Sequence, residues 1–311
     1  MLERKVDILM KKKGVSIRRT WPFHLMLLPG VILLLLFSYV PMAGIVIAFQ
    51  KFNPAKGLFG NQKWVGWDNF EYVMSLPTTM GVLRNTLLIA LGKIVLGMVI
   101  SVLFALLLNE VRNRKLRRVT QTIIYFPHFL SWVILAGIFI DLLSADGGAV
   151  NQILGSMGIA PISFLGDKNW FPFTMILTDV WKGFGFGTVI YMATITSIDP
   201  TLYEAASIDG AGRFKQTLHI TLPALSTIVI LMAVLNMGNI LNAGFDQIYN
   251  LYNAKVMETG DIIDTLVYRM GLFNAQFGPA TAVGLFKSVV SMILISSTYF
   301  IAYKTLDYRI F

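Results

Sequence analysis

Lys93, Lys182 and Lys287 lie inside long apolar stretches of the chain, where a charged side chain is expensive. A charge at the centre of a bilayer costs about 2.5–3.5 kcal/mol on insertion scales, so we do not expect these lysines to face lipid. Asp179 lies three residues before Lys182 and, at helical spacing, is predicted to pair with it. The other lysines leave an excess of positive charge, which predicts a basic, water-filled cavity. In the alternative, a partner protein or backbone carbonyl groups neutralise the lysines.

A second set of polar side chains follows one predicted helical face. Asn236, Asn239, Asn242 and Asp246 fall within an arc of about 120° at about 100° per residue. Because an amide both donates and accepts hydrogen bonds, such a stripe suits a ligand rich in hydroxyl groups. The alternative is that the amides bond neighbouring helices to one another.

The composition indicates which elements position these residues. The 311 residues are 55% hydrophobic and 14% charged, whereas a soluble domain carries about 25% charged residues. The sequence therefore predicts an all-α integral membrane protein. It contains no cysteine, and its three histidines are far apart, which argues against disulfides, thiolate chemistry and a metal centre. The net charge of +9 lies at the flanks of apolar segments, so nucleic acid is not an expected partner, whereas membrane lipid is.

Six segments are apolar over about 20 residues, the length that crosses a bilayer as a helix. Pro29 and Pro41 predict a kink in the first of them. No cleavage site follows that first span, so we interpret it as retained and not as a signal peptide. The predicted spans are 25–49, 82–108, 120–143, 172–198, 224–245 and 279–303, of which the last five form a core over 82–303.

The distribution of positive charge predicts the orientation. If the N-terminus is inside, the inner segments carry 16 Lys and Arg residues and the outer segments carry 6. Because basic residues are retained on the cytoplasmic side, both termini are predicted to be cytoplasmic. Residues 1–24 and 304–311 then form cytoplasmic tails, and the basic run 112–118 is the strongest anchor.

A polar segment, 199–223, separates two of the apolar spans and is placed in the cytoplasm by this orientation. Asp199 suits an N-cap, and Pro200 suits the first position of a short helix. Gly210 can provide a bend after that helix, because glycine adopts a positive φ without strain. A second short helix is predicted from Arg213. The segment is interpreted as a docking element, with an ordinary interfacial helix as the alternative.

The order of residues in this segment resembles the conserved loop in the membrane subunits of bacterial ABC importers. Similar runs, Val65–Phe70 and Asn85–Thr86, occur in the sugar-importer branch, and the resemblance extends over about 25–303. The short outer loops bring the chain nearest to permeases for oligosaccharides from complex polysaccharides. The loop motif matches at Glu204, Ala205, Ala206, Gly210, Ile220, Leu222 and Pro223.

The resemblance implies a type I importer permease fold in the bacterial cytoplasmic membrane. It implies a second homologous permease, two ATPase subunits that bind ATP and Mg, and an extracytoplasmic sugar-binding protein. The chain has no phosphate-binding loop, and the glycine run 183–187 lies in an apolar span, so we predict a non-catalytic subunit without a cofactor of its own. The residues implied to contact the ATPase are Tyr203, Glu204, Ala205, Ala206, Asp209, Gly210 and Ala211.

Two other classes of function are weaker. An ion-coupled secondary transporter would use the intramembrane Lys and Asp residues, but it does not explain the Glu-Ala-Ala loop. A membrane enzyme would need paired acid and base groups, which neither Asp141 with Asp146 nor Asp261 with Asp264 supplies convincingly. For a sugar importer, a basic cavity would suit acidic saccharides and a tryptophan could stack on a sugar ring. The predicted substrate path is Lys93, Asp179, Trp181, Lys182, Asn236, Asn239, Asn242 and Lys287.

Overall fold

Apolar helices dominate residues 17–58 and 60–306, the part of the chain that this computed structural model describes. The first helix, α1, spans Ile17–Leu34 and therefore begins inside the predicted tail, of which 1–16 lie outside the described residues. It continues through a π-helical turn at Leu35–Tyr39 into a 3-10 helix at Val40–Phe49. Pro41 lies where the winding changes, and the segment from Trp21 to Phe49 forms one apolar span.

A small hairpin follows the first span. Strand β1 (Gln50–Lys51) pairs antiparallel with β2 (Lys63–Trp64), and helix α2 (Asp68–Ser75) comes directly after it. Asn69 at the start of α2 donates hydrogen bonds to the carbonyl oxygens of Ala48 and Gln50 at 2.8 and 3.1 Å. The run Val65–Phe70, which resembles the importer family, thus connects α2 to the end of the first span through Asn69.

The most extensive helix packing joins α3 (Pro77–Glu110) and α7 (Trp170–Thr196). Glycines allow α7 to approach its neighbours closely. A Cβ atom at Gly185 would collide with the backbone carbonyl of Ile124, and one at Gly187 would lie 2.6 Å from the Ser101 hydroxyl. The glycine run is thus a packing feature inside a continuous helix.

The predicted third span is not a single helix. It consists of α4 (Arg114–Tyr125), a 3-10 turn at Phe126–Phe129 and α5 (Trp132–Leu142), with a bend of 102° between the two helical pieces. Pro127 lies within this turn and lacks the N–H group that a continuous helix requires. Ser131 then caps α5 by accepting a hydrogen bond from the N–H of Ile134 at 3.3 Å.

The fifth span begins earlier and ends earlier than predicted. In chain order, the short helix α6 (Ala149–Ser156) precedes α7, and helix α8 (Pro200–Ile208) follows it. The predicted second short helix is instead the start of a continuous span from Arg213 to Met237. A π-helical turn at 217–221 precedes Pro223, and this wider winding accommodates its ring inside the helix. The pieces of this span are α9 (Arg213–Gln216), the π turn (Thr217–Thr221) and α10 (Leu222–Met237).

Short helices connect α10 to the last long helix. Asn85 in α3 donates to the carbonyl oxygens of Glu258 and Asp261 at 2.9 and 3.2 Å, and the Thr86 hydroxyl accepts the N–H of Ile263 at 3.0 Å. This pair therefore fastens the connecting helices to α3. The elements are α11 (Phe245–Leu251), α12 (Met257–Gly260), α13 (Ile263–Tyr268), a π turn (Arg269–Phe273) and α14 (Phe277–Leu306), with 3-10 turns at Pro54–Lys56 and Ala254–Val256.

Four helices of the described residues are long and apolar enough to cross a membrane, and the bent α4–α5 pair makes a fifth if it is one span. The remaining predicted span corresponds to α7, which has 27 residues and is about 40 Å long at about 1.5 Å per residue. It is less apolar than the four helices named above as long and apolar enough to cross a membrane. Asp179, Lys182 and its glycines and threonines lower its mean hydropathy.

Candidate functional site

A cavity of about 450 Å³ opens between α3, α7 and the chain that follows α10. The amide residues do not share a helical face, because α10 ends at Met237. Instead, a turn after that helix and the left-handed Gly244, with φ of +90°, carry the chain around the cavity. The structure thereby brings together five of the eight predicted path residues: Lys93, Asp179, Asn236, Asn239 and Asn242.

Lys93 is the centre of a buried polar network beside this cavity. Its side chain is 9% exposed, and its ammonium donates to the Ala243 carbonyl at 2.6 Å and to the Gln247 side chain. Gln247 is fully buried and donates to the Met175 carbonyl and to the Thr178 hydroxyl, both at 2.8 Å. The network therefore joins α3, α7, α11 and the non-helical segment before α11, and it fixes the course of that segment.

Asp179 pairs with Lys93, at 3.5 Å, and not with Lys182 as predicted. Helical spacing between two residues permits a pair but does not exclude a nearer partner on another helix. The Asp179 side chain is 35% exposed, and it is the acidic group that lines the cavity. Since Lys93 is the basic one, the lining carries no excess positive charge within the part of the chain described here.

The other three predicted path residues lie away from the cavity lining. Lys182 donates to the His128 carbonyl at 2.9 Å, at the break between α4 and α5. Lys287 donates to the Asp264 carboxylate at 2.5 Å. Trp181 packs edge-on against Phe139 with ring centroids 5.6 Å apart. The contact of Lys182 is the backbone-carbonyl alternative. Lys287 instead pairs with a carboxylate of the same chain, which the sequence analysis did not predict.

The polar loop between α7 and α9 has the predicted cap and bend. The Asp199 carboxylate accepts the N–H of Thr201 at 2.9 Å, which begins α8 and lowers the pKa of that carboxyl. Gly210 follows α8 with φ of +76°, a conformation in which a side chain is strained. Both features agree with the sequence prediction for this segment.

Side-chain hydrogen bonds hold α8 against the start of the fifth span. The Tyr203 hydroxyl lies 2.9 Å from that of Thr221, which is buried. Gln216 donates to the Ser207 hydroxyl at 2.9 Å and to the Ala211 carbonyl at 3.0 Å. The turn at Gly210 is therefore braced on both sides, so α8 and the beginning of the span form one unit.

The outer surface of this unit is accessible. Glu204, Ala205, Asp209 and Gly210 are exposed, and two large apolar side chains, Ile208 and Phe214, are 87% and 81% exposed. The sequence reasoning did not assign a contact role to these two. The sequence feature that could have indicated them is a large apolar residue on each side of a glycine-containing turn in a polar segment.

Residues 94–310 match the family described as the inner membrane component of binding-protein-dependent transport systems. The chain belongs to this family. It is accordingly a non-catalytic, multi-pass membrane permease subunit of an ABC transporter with the type I importer fold. A polygalacturonan/rhamnogalacturonan transport system permease protein, YteP of Bacillus subtilis (strain 168), is 45% identical over 88% of this chain and 84% of the relative.

Solved structures agree with the family. A bacterial ABC transporter that imports the acidic polysaccharide alginate has a chain with a TM-score of 0.85 and 36% identity, covering 93% of this chain and 98% of that one. A second structure of such a transporter, with an alginate pentasaccharide-bound periplasmic protein, also gives 0.85, at 35% identity over 94% and 98% of the two chains. Membership of this family does not favour the ion-coupled secondary transporter.

Proposed function

We propose that this chain is a permease subunit of an ATP-driven importer that carries oligosaccharide fragments of complex polysaccharides across the cytoplasmic membrane. Relatives named for polygalacturonan/rhamnogalacturonan and alginate transport support this cargo class. The cavity residues Asn236, Asn239 and Asn242 supply donors and acceptors for sugar hydroxyl groups. Asp179 adds a carboxylate acceptor.

The proposed arrangement has six spans with both termini in the cytoplasm, where the basic segments lie. Residues 1–24 and 304–311 form the tails, 25–49 the first span and 82–303 the core. In this arrangement α7 is the fourth span, buried enough against α3 to tolerate its polar residues. The loop that contains α8 then faces the cytoplasm.

The assembly is proposed to contain a second homologous permease, two ATPase subunits and an external sugar-binding protein. ATP and Mg are held by the ATPase subunits, because this chain lacks a phosphate-binding loop. The docking element is α8 with the turn that follows it, from Tyr203 to Ala211. The carrying observation is that Ile208 in this element and Phe214 just beyond it are both exposed, since a protein partner would cover such apolar side chains.

Transport follows from a rigid-body movement in this proposal. Closure of the ATPase pair displaces α8, and the hydrogen bonds from Tyr203 and Gln216 pass that displacement to the span that begins at Arg213. The same span ends beside the amides of the cavity. Docking and access to the cavity are thereby linked through one helix, as in other rigid-body switches.

Purification of tagged transporter with two matched variants tests the docking role. Ile208→Ser should lose the co-purifying ATPase and the uptake of labelled oligosaccharide, because it removes an exposed apolar contact of the loop. Leu272→Ser changes a side chain that is 69% exposed in the turn before α14 and should keep both. Undiminished ATPase recovery and uptake with Ile208→Ser combined with Glu204→Arg would exclude docking at this loop.

A further inference from the structure

The first turns of α4, together with the residue at position 112, carry basic side chains without acidic partners. We infer that this basic face, 112–118, binds the headgroup of an anionic phospholipid. Its five basic side chains take part in none of the ion pairs formed by the described residues. Four of them are exposed and Arg117 is half-buried. The members are Arg112, Arg114, Lys115, Arg117 and Arg118.

An apolar edge of the same helix places this face at the lipid boundary. Leu116 and Val119 are each 56% exposed, Ile123 is 65% exposed, and Phe126, at the start of the 3-10 turn that continues α4, is 60% exposed. Their spacing follows the helical repeat, so they form one continuous edge that crosses several turns. A helix with such an edge inserts its apolar side chains among acyl chains and holds its basic side chains at the level of the phosphates. This geometry favours a lipid headgroup over the surface of a soluble partner.

The position of the basic side chains within α4 is electrostatically unfavourable without a bound anion. The first turn contains Arg114 and Lys115 and has no acidic residue, although a helix N-terminus carries partial positive charge. Asn113 caps the N–H groups of Lys115 and Leu116 at 2.9 and 3.2 Å but is itself uncharged. A phosphate group would relieve both the mutual repulsion of the side chains and their repulsion by the helix dipole.

A cavity beside this face offers room for the headgroup. It has a volume of about 340 Å³, and its lining includes Arg112 together with Asn109 and Tyr203. The acidic group of the lining, Glu110, is bound to Arg213 at 2.6 Å, which leaves Arg112 as the uncompensated charge. A phosphate held by Arg112 would lie beside Asn113, the N-cap residue of α4, and next to the loop that contains α8.

The inference rests on the proposed orientation, and lipid retention tests it without any measurement of transport. The purified transporter is reconstituted in nanodiscs of phosphatidylcholine with or without phosphatidylglycerol, and retained phosphatidylglycerol is counted by native mass spectrometry. Arg112→Gln with Arg117→Gln, which leaves three basic residues as a topology anchor, should reduce retention several-fold. Arg112→Lys with Arg117→Lys should keep it, and so should Lys51→Gln with Lys63→Gln on the hairpin.

Three results would overturn the inference. Equal retention by the Gln pair and the wild-type chain would exclude a headgroup site at these residues. Equal protection of the wild-type chain from thermal unfolding by soluble glycerol phosphate and by phosphatidylglycerol would assign the site to a free anion. Loss of the ATPase subunits from the Gln pair, with unchanged lipid retention, would identify the basic face as a protein contact. Failed sugar uptake by an otherwise lipid-binding transporter would contradict only the proposed cargo and coupling.

Discussion

The polar groups of the network around Lys93 are buried, whereas those of the loop that contains α8 are exposed. Around Lys93, the ammonium, the Gln247 amide and their acceptors are buried and bonded to one another. In the loop, Glu204 and Asp209 are exposed, and Ile208 and Phe214 project from the surface. The hydrogen bonds of the first region are all made within this chain. The second region is hydrogen-bonded to the start of the fifth span on one side and exposed on the other.

This difference indicates what each region contributes. A satisfied buried network has one low-energy arrangement, so it fixes the shape of the cavity wall. An exposed loop with an internal brace keeps its own shape and still offers a contact surface. A change in the network should therefore lower stability first, whereas a change on the loop should lower coupling at nearly constant stability.

Replacement of Lys93 should have the largest effect and tests the structural half of this comparison. Lys93→Met leaves Gln247 and the Ala243 carbonyl without their donor and Asp179 without its ion-pair partner. Each buried acceptor left without its donor costs about 1–3 kcal/mol, and Gln247 and Ala243 are both fully buried. The expected result is a much lower unfolding temperature in detergent, measured by tryptophan fluorescence.

The matched control is the same change at an exposed ion pair. Lys168 lies 3.1 Å from Glu258, with side chains 54% and 73% exposed. An exposed pair contributes about 0–1 kcal/mol, so Lys168→Met should unfold close to wild type. Similar unfolding temperatures for Lys93→Met and wild type would show that the network does not hold the cavity wall.

The sequence predicted the helical content well where one apolar run forms one helix. The helices Pro77–Glu110 and Phe277–Leu306 contain their predicted spans and extend beyond them, because a helix continues past the apolar residues by which a span is recognised. The cap at Asp199 and the bend at Gly210 were also predicted, since both depend on a few adjacent residues. Local signals of this kind need no knowledge of tertiary contacts.

The polar groups inside the bundle could not be paired from the sequence. Asp179 has Lys182 at helical spacing, yet Lys93 on another helix is its partner. The partner depends on how α3 and α7 pack, which is a tertiary property. The same limitation applies to the bend after Phe129 and to the fifth span, where Pro127 interrupts a helix and Pro223 lies within one. A π turn precedes the second proline, and no local pattern identified it.

The turn at Gly210 should give the next largest effect and tests the coupling half of the comparison. Gly210→Val places a β-branched side chain at φ of +76°, a left-handed conformation that costs about 1–2 kcal/mol. The turn should change shape, so uptake and the stimulation of ATPase activity should fall while membrane insertion stays normal. Gly212→Val is the control, because φ there is −69° and its Cβ would meet open space. Equal losses in both variants would contradict a role for the bend itself.

Removal of the hydrogen bond between the Tyr203 and Thr221 hydroxyls should have the smallest effect on transport. It tests whether this bond couples α8 to the fifth span. Tyr203→Phe and Thr221→Val each remove one hydroxyl of a bond that is 2.9 Å long and nearly preserve side-chain volume. A single hydrogen bond contributes about 0.5–1.5 kcal/mol, so each variant should remain folded.

The measured quantity is the amount of sugar imported per ATP hydrolysed, which should fall because α8 can then move more freely relative to the fifth span. If the bond transmits the movement, the double variant should be no worse than either single variant, because both remove the same contact. Additive losses would mean that the two hydroxyls do not act through one shared bond. An unchanged ratio of import to hydrolysis would mean that the Gln216 hydrogen bonds or the backbone couple the loop to the span.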